Sequence, residues 1–403
     1  MSVRKNESLC TGSSDDGGVC GDMCVGAWRT GARVQGREKD AKFCLREALS
    51  HLQMGRRATL RGFLSIDMTL ANYQRARRLL GALHHRIHAA VMAARVRQAG
   101  RLSRVVGVTQ ADTIYHVDRI AETVILAWFE REWPRAWPVE LVMEGLDEGA
   151  EATTFPRGTP ISKTVLKCIV DPIDGTRGFM CDKRSAWVLT GLAPQRGNRT
   201  SLADIAVAVM TELPVVKQAA FDQLSAVRGQ GAAVVRYPGL NHPGKRIRLR
   251  PSQARNFDHG FVSFSRFFPE GKTLLAEIEE RFWRELKVWG SEGGAEVFED
   301  QYVSTGGQVY ELIAGHDRLI ADLRPLIPDI GASGIRMTCC HPYDICTALI
   351  LEELGGVVED PSGIPLRGPL DTTTPVAWVG YANRTLARLA RRALRKALNQ
   401  RQG

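Results

Sequence analysis

Residues 165–176, Val-Leu-Lys-Cys-Ile-Val-Asp-Pro-Ile-Asp-Gly-Thr, constrain this chain more than any other stretch. An apolar run of Val165, Leu166, Cys168, Ile169 and Val170 reads as a buried strand that delivers two carboxylates three residues apart. Asp171 and Asp174 at that spacing repel unless a cation lies between them, and their hard oxygen donors suit magnesium. Pro172 stiffens the loop, so that both acids converge at a lower ordering cost. Gly175 and Thr176 then offer backbone N–H groups at what reads as a helix start, a cradle for a phosphate. For a bare Asp-x-x-Asp-Gly, a polar turn with Asp174 as a helix cap is the ordinary reading. The whole string on a buried strand favours the cation site.

Two further acids extend the constellation. Glu144 follows the apolar Leu141, Val142 and Met143, which puts it at a strand end rather than on an exposed helix. Asp344 heads a helix after His341-Pro342-Tyr343, where a carboxylate also favours the helix dipole, so that capping alone is an alternative explanation. Together Glu144, Asp171, Asp174 and Asp344 are enough for two or three magnesium ions that keep some of their water.

The rest of the chain supports a layered α/β fold. From Tyr73 a helical pattern places Leu79, Leu80, Leu83, Ile87, Val91 and Ala94 on one face, with Arg and His opposite. A second helix is expected over 117–132, with Ile120, Val124, Ile125, Trp128 and Phe129 inward. Short apolar runs at 139–143, 165–170, 187–192, 205–211 and 232–235 read as strands of a mixed sheet. A basic, Gly- and Pro-containing stretch over 239–255 reads as a boundary. Beyond it come a strand at 261–264, helices at 274–286 and 308–314, and a strand at 319–323. A helix at 344–354 ends on Gly355 and Gly356, a strand follows at 357–358, and a last helix spans 383–397. The domains expected are a disordered N-terminal extension over 1–70, a metal-binding half over 73–235 and a second half over 240–397.

At 403 residues, 44% hydrophobic and 24% charged, the chain has the make-up of an ordinary globular protein. No run is long and apolar enough for a membrane span, and the polar N-terminus lacks a signal-peptide core. Nine scattered Cys read as reduced cytosolic thiols. The net charge of +10 invites a nucleic-acid reading. Its Arg residues, however, fall in helical stretches (Arg75, Arg77, Arg78, Arg384, Arg388, Arg391, Arg392, Arg395) as solvated faces would.

The string IVDPIDGT, an acid at a preceding strand end, and a distant aromatic-Asp pair before ELGGVVED together resemble the inositol monophosphatase family, whose relatives include fructose bisphosphatases. The similarity runs from about residue 73 to about 395, and Ser304 to Leu312 looks like that family's second-domain helix start. The resemblance implies alternating helix and sheet layers with the site between two halves. It implies that magnesium is bound by Glu144, Asp171, Asp174, Asp344 and the main-chain carbonyl of Ile173. Glu144 and Thr176 would position and deprotonate the attacking water, and Asp118 would hydrogen-bond the Thr176 hydroxyl, although Asp118 also reads as a solvated first-turn acid. Gly175, Thr176, Asp174, Asp344, Arg177 and Arg336 would contact substrate.

Three departures bear on specificity. Gly145 follows Glu144 where the family has a second acid. Arg177 and Gly178 replace a Thr-Asn pair, and Arg177 would reach either a second anion or a surface acid. Arg336 and Met337 fall where inositol-type members place a Glu on the sugar hydroxyls, so an Arg there suits a substrate with another negative charge. The expected function is hydrolysis of a small sugar- or inositol-like phosphate monoester by metal-activated water, with lithium inhibition. Alternatives are a nucleotide 3′-phosphatase, a sugar bisphosphatase, or a non-enzymatic phosphate-ligand sensor. A cytoplasmic location, a small phosphorylated partner, no nucleic acid, no membrane and a homodimer complete the expectations. Removing residues 1–67 is expected to leave the enzyme folded and active. Asp174→Asn is expected to reduce turnover while leaving the metal-free fold as stable or more so.

Overall fold

Strands whose side chains alternate between two apolar faces must be covered on both sides, and this chain covers them with helices. The computed structural model describes residues 68–97, 105–108, 113–146, 152–286, 296–327 and 338–399. The expected disorder of 1–70 falls almost wholly outside them. Helix α1 (Leu70–Arg97) leads to a small hairpin, β1 (Val105–Val108) and β2 (Thr113–Tyr115), and then to α2 (His116–Glu132). An eight-stranded sheet follows. Its strands are β3 (Val139–Met143), β4 (Thr154–Phe155), β5 (Leu166–Asp174), β6 (Ala186–Pro194), β7 (Val207–Leu213), β8 (Phe221–Val227), β9 (Ala232–Tyr237) and β10 (Lys245–Ile247). Their spatial order is β10-β9-β8-β7-β6-β5-β3-β4, antiparallel throughout except for the parallel pair β3–β5. The short helix α3 (Thr176–Met180) follows β5 directly.

A second sheet of five strands is built from β11 (Gly260–Phe264), β12 (Val297–Phe298), β13 (Asp317–Asp322), β14 (Val357–Glu359) and β15 (Trp378–Tyr381) in the order β12-β11-β13-β15-β14. Its helices are α4 (Lys272–Leu286), α5 (Thr305–Ala314), α6 (Pro342–Ile345), α7 (Ala348–Glu353) and α8 (Arg384–Asn399).

Alternation along single strands separates the layers. On β5, Leu166, Cys168 and Val170 join the core under α1 and α2, whereas Ile169 faces the core that holds α5, α6 and α7. On β13, Ile320 faces that same central helical layer, whereas Leu319 and Ala321 pack against α4 and α8. The result is helix, sheet, helix, sheet, helix, the layered α/β class read from the sequence.

Several expectations need correction. Strands β8 and β15 were not read, because Asp222, Gln223 and Ser225 break the apolar run of β8 and β15 lies just after a Thr- and Pro-rich stretch. The stretch 239–255, read as a boundary, carries the edge strand β10, which pairs with β9. The single helix expected over 344–354 is two, α6 and α7, parted at Cys346 and Thr347. There the chain crosses β6 so closely that a Cβ on Gly191 would lie 3.0 Å from the Cys346 Cβ. The histidines of α1 are not all opposite its apolar face: His84 and His88 are buried with Leu80, Leu83 and Ile87. The Arg residues of α8 do lie outward, Arg384, Arg388, Arg392 and Arg395 being exposed while Leu386, Ala390 and Leu394 are buried.

Candidate active site

In a regular strand, residues three apart point to opposite faces, so Asp171 and Asp174 would diverge if β5 were unbroken. The β5–β6 ladder shifts register between them: Asp171 lies opposite Leu189 and Asp174 opposite Trp187. Three steps on β5 match two on β6. Pro172 sits in the extra length, where a missing N–H costs no ladder bond. The bulge brings both carboxylates to one side, and Asp171, Asp174 and Asp344 offer oxygens that all lie within 4.8 Å of one another.

Glu144 reaches the same place through the parallel pairing of β3 and β5. Met143 lies opposite Val170, and the Glu144 N–H donates to the Val170 carbonyl at 3.3 Å. Asp344 comes as the third residue of α6, rather than its first, and its Oδ2 accepts from the His341 N–H at 2.6 Å. Gly175 adopts φ 90°, and a Cβ there would lie 2.9 Å from the Ser304 Cβ, so the turn into α3 needs glycine on both counts. The Thr176 hydroxyl lies 3.1 Å from Asp118 Oδ1 and 2.7 Å from the Ile173 carbonyl. The other Asp118 oxygen accepts from the Tyr115 N–H at 2.7 Å, which fixes the carboxylate at the start of α2.

These groups, with Arg177, line one open cleft. Nine of the sequence-predicted residues therefore meet there: Asp118, Glu144, Asp171, Ile173, Asp174, Gly175, Thr176, Arg177 and Asp344. Arg336 lies outside the described residues. Burial, reinforced by Glu144, Asp174 and Asp344, pushes the Asp171 carboxyl well above the usual range. Burial also raises Asp174, to about 6, against the opposing pull of N–H and O–H donors and of Arg324. The set fits a divalent cation: it consists of hard oxygens, held at separations one ion could span, in a site where their charges oppose one another.

No family model matches the sequence, and no curated protein matches it. Solved structures do match. The SuhB extragenic suppressor protein of Bartonella henselae superposes with a TM-score of 0.53 at 17% identity, over 80% of this chain and 99% of that one. Leishmania major fructose-1,6-bisphosphatase in holo form gives 0.58 at 13% identity, over 82% and 100%. A Pyrococcus horikoshii protein described as similar to inositol-1 monophosphatase gives 0.51 at 16%, over 79% and 98%. The fold is that of the inositol monophosphatases and fructose-1,6-bisphosphatases. The resemblance read from the DPIDGT string thus holds at the level of the fold.

On this fold, several cleft residues were invisible to sequence reasoning. Asp174 is not a cap for the helix that follows it. It accepts from Ser304 Oγ at 2.8 Å and from the N–H groups of Thr305 and Gly306, so it holds the start of α5. Phe267, Phe268, Ser304, His341 and Tyr343 also line the cleft, as does the buried Arg324. The one available signal was the Asp-x-Arg spacing at the end of a predicted strand, which the pattern of neighbouring apolar residues does not single out.

Proposed function

We propose that this chain is a magnesium-dependent phosphoric monoester hydrolase of the inositol monophosphatase type, acting on a small sugar- or inositol-like phosphate. The reading is carried by one juxtaposition: three aspartates with oxygens within 4.8 Å in the same cleft as the Thr176–Asp118 pair. Glu144, Asp171, Asp174 and Asp344, with the Ile173 carbonyl, would hold magnesium, and the bound ion would offset charge on the phosphate and the leaving oxygen.

The chain's own groups handle the proton. Asp118 draws the Thr176 proton toward itself, which leaves a hydroxyl lone pair to accept a hydrogen bond from the attacking water and fix its orientation. Glu144 takes the proton that water loses as its oxygen bonds to phosphorus. The ester P–O bond breaks as that bond forms; the leaving alkoxide takes a proton from solvent, to which Glu144 returns the one it gained. An alcohol and inorganic phosphate result, with no covalent enzyme intermediate. Gly175, Thr176 and Arg177 would orient the phosphate. None of the five described cysteines forms a disulfide. No helix among the described residues is long and apolar enough to cross a membrane.

Phosphate release from a panel of sugar, inositol and nucleotide phosphates, with and without magnesium, tests the reading. Hydrolysis that requires the metal and stops in excess chelator is expected. Full turnover in chelator, or no release from any substrate by folded protein, would overturn it.

A further inference from the structure

Arg324 is a charged cleft residue for which the proposed reaction has no use. It is only 6% exposed, yet it lines the cleft that holds the aspartates. Its Nε and Nη2 donate to the two oxygens of Asp322 at 2.8 and 2.6 Å, and its Nη1 donates to the Thr338 carbonyl at 2.9 Å. The guanidinium carbon lies 4.6 Å from the ring centre of Phe267 and 5.5 Å from that of Phe268, and both rings line the same cleft. A guanidinium carries five N–H donors. Three are engaged, and no described residue takes up the other two. A buried pair of this kind seldom adds stability over apolar groups of equal size, so packing alone does not account for it.

We infer that Arg324 is a specificity-determining residue whose two remaining N–H donors take a second anionic group on the substrate, a carboxylate or a phosphate carried by the leaving alcohol. The inference rests on the phosphomonoesterase reading and narrows its substrate class. Asp322 cancels the net charge of Arg324, so the residue supplies direction rather than long-range field. Its fork is held by Asp322, Thr338 and two aromatic rings and cannot swing away to suit a neutral substrate. The rings also shield one side from water, which strengthens a charge-assisted bond formed there. Arg324 acts electrostatically on both Asp174 and Asp344, so one small molecule can present its scissile phosphate to the acids and its second anion to Arg324.

The test uses matched phosphate monoesters on one carbon skeleton: a neutral polyol, the same skeleton bearing a carboxylate, and the same bearing a second phosphate. Wild-type protein with magnesium is expected to favour at least one anionic substrate by about 10–100-fold in kcat/KM, and the better arm identifies the anion. The double variant Asp322→Asn/Arg324→Gln removes the cation without stranding a buried carboxylate. It is expected to lose that preference mainly through KM, the anionic substrates falling further than the neutral polyol. Arg324→Lys keeps the charge but not the fork, and is expected to lose at least about fivefold in preference even if the double variant does not fold. Equal losses on all three substrates would reduce Arg324 to a structural role, and a wild-type enzyme without preference would overturn the inference outright. Hydrolysis of none of the three would instead sink the phosphomonoesterase reading, and this inference with it.

Discussion

Two clusters of buried polar groups flank the eight-stranded sheet, and they are built on opposite principles. Under α1, His84 is sealed from solvent, with its ring nitrogens 3.0 Å from Thr211 Oγ1 and 2.8 Å from Thr190 Oγ1. His88, one turn on, stacks on Phe221 with ring centres 4.0 Å apart. Burial keeps both imidazoles neutral. The second cluster, at the end of β5, gathers carboxylates that open on a cleft, and Glu144, Asp174 and Asp344 there add to the burial that raises the Asp171 carboxyl. His84, satisfied by two neutral hydroxyls, belongs to the architecture, and His88 beside it is held by packing, both of its ring nitrogens lacking a hydrogen-bond partner among the described residues. A set of like charges held together at a cleft is stable only when a counter-charge arrives.

Breaking the acidic cluster should produce the largest effects. Asp171→Asn is expected to lower turnover by at least about a hundredfold, while the metal-free protein melts higher than wild type. Asn retains the oxygen that accepts from the Ile173 N–H at 2.9 Å but sheds a buried charge. Steady-state kinetics and thermal melts in chelator check both; near-normal turnover with unchanged magnesium dependence would remove Asp171 from the site.

Asp174→Asn sharpens the contrast within that cluster. A comparable loss of turnover is expected, but no gain in melting temperature. Its two oxygens accept from Ser304, Thr305 and Gly306, and an Asn amide nitrogen would face one of those donors. Of the two outcomes expected from the sequence, little change or a gain in stability without metal, these hydrogen bonds favour little change. A melting temperature that rose as far as that of Asp171→Asn would show that the tie to α5 contributes little.

The neutral cluster should respond in the opposite sense. His84→Leu leaves the Thr190 hydroxyl without this partner and Thr211 with Gln223, and is expected to destabilise the fold by about 1–3 kcal/mol. The kcat per folded molecule should stay unchanged. Chemical denaturation with activity normalised to folded protein measures both, and a selective loss of kcat would connect this cluster to the chemistry.

The smallest effect is a tilt of stability with pH. His84 and His88 are held down to about 3 and about 4 by burial, from an ordinary value of 6.5. They stay neutral when folded and gain a proton on unfolding. Their contribution is complete above the unfolded value and is lost as pH falls toward the folded ones. Asp174 is shifted the other way, to about 6 from 3.8, chiefly by burial, so without metal it destabilises the fold as pH rises between those values. Melts in chelator between about pH 4 and 8 should show His84→Leu flattening the acid limb and Asp171→Asn holding its advantage only toward neutral pH. Profiles parallel to wild type would mean that neither cluster titrates differently on folding.

The acidic cluster was largely legible in the sequence and the histidine cluster was not. Asp171 and Asp174 announce themselves because a carboxylate pair at the end of an apolar strand breaks the expected pattern. His84 sits at helical spacing among apolar residues, and periodicity assigns a polar side chain to solvent. Its partners are 106 and 127 residues away, a separation that no local window spans. Arg324 was missed on similar grounds, because its contact with Thr338 and its place over Phe267 and Phe268 arise only when β11, β13 and the segment before α6 come together.

By itself, the sequence determined the local devices: the apolar strand, the proline that leaves a ladder position unpaired, the glycine at φ 90°, and the order of the acids along the chain. Each depends on backbone sterics or on period-two alternation, which neighbouring residues settle among themselves. Only the tertiary structure decided which acids meet at one cleft, that Asp174 also holds the start of α5, and that a fixed arginine faces the cleft. Those facts depend on the register between strands and on the stacking of five layers. Burial makes such contacts strong by removing competing water, and the same burial hides them from any reading of the chain in one dimension.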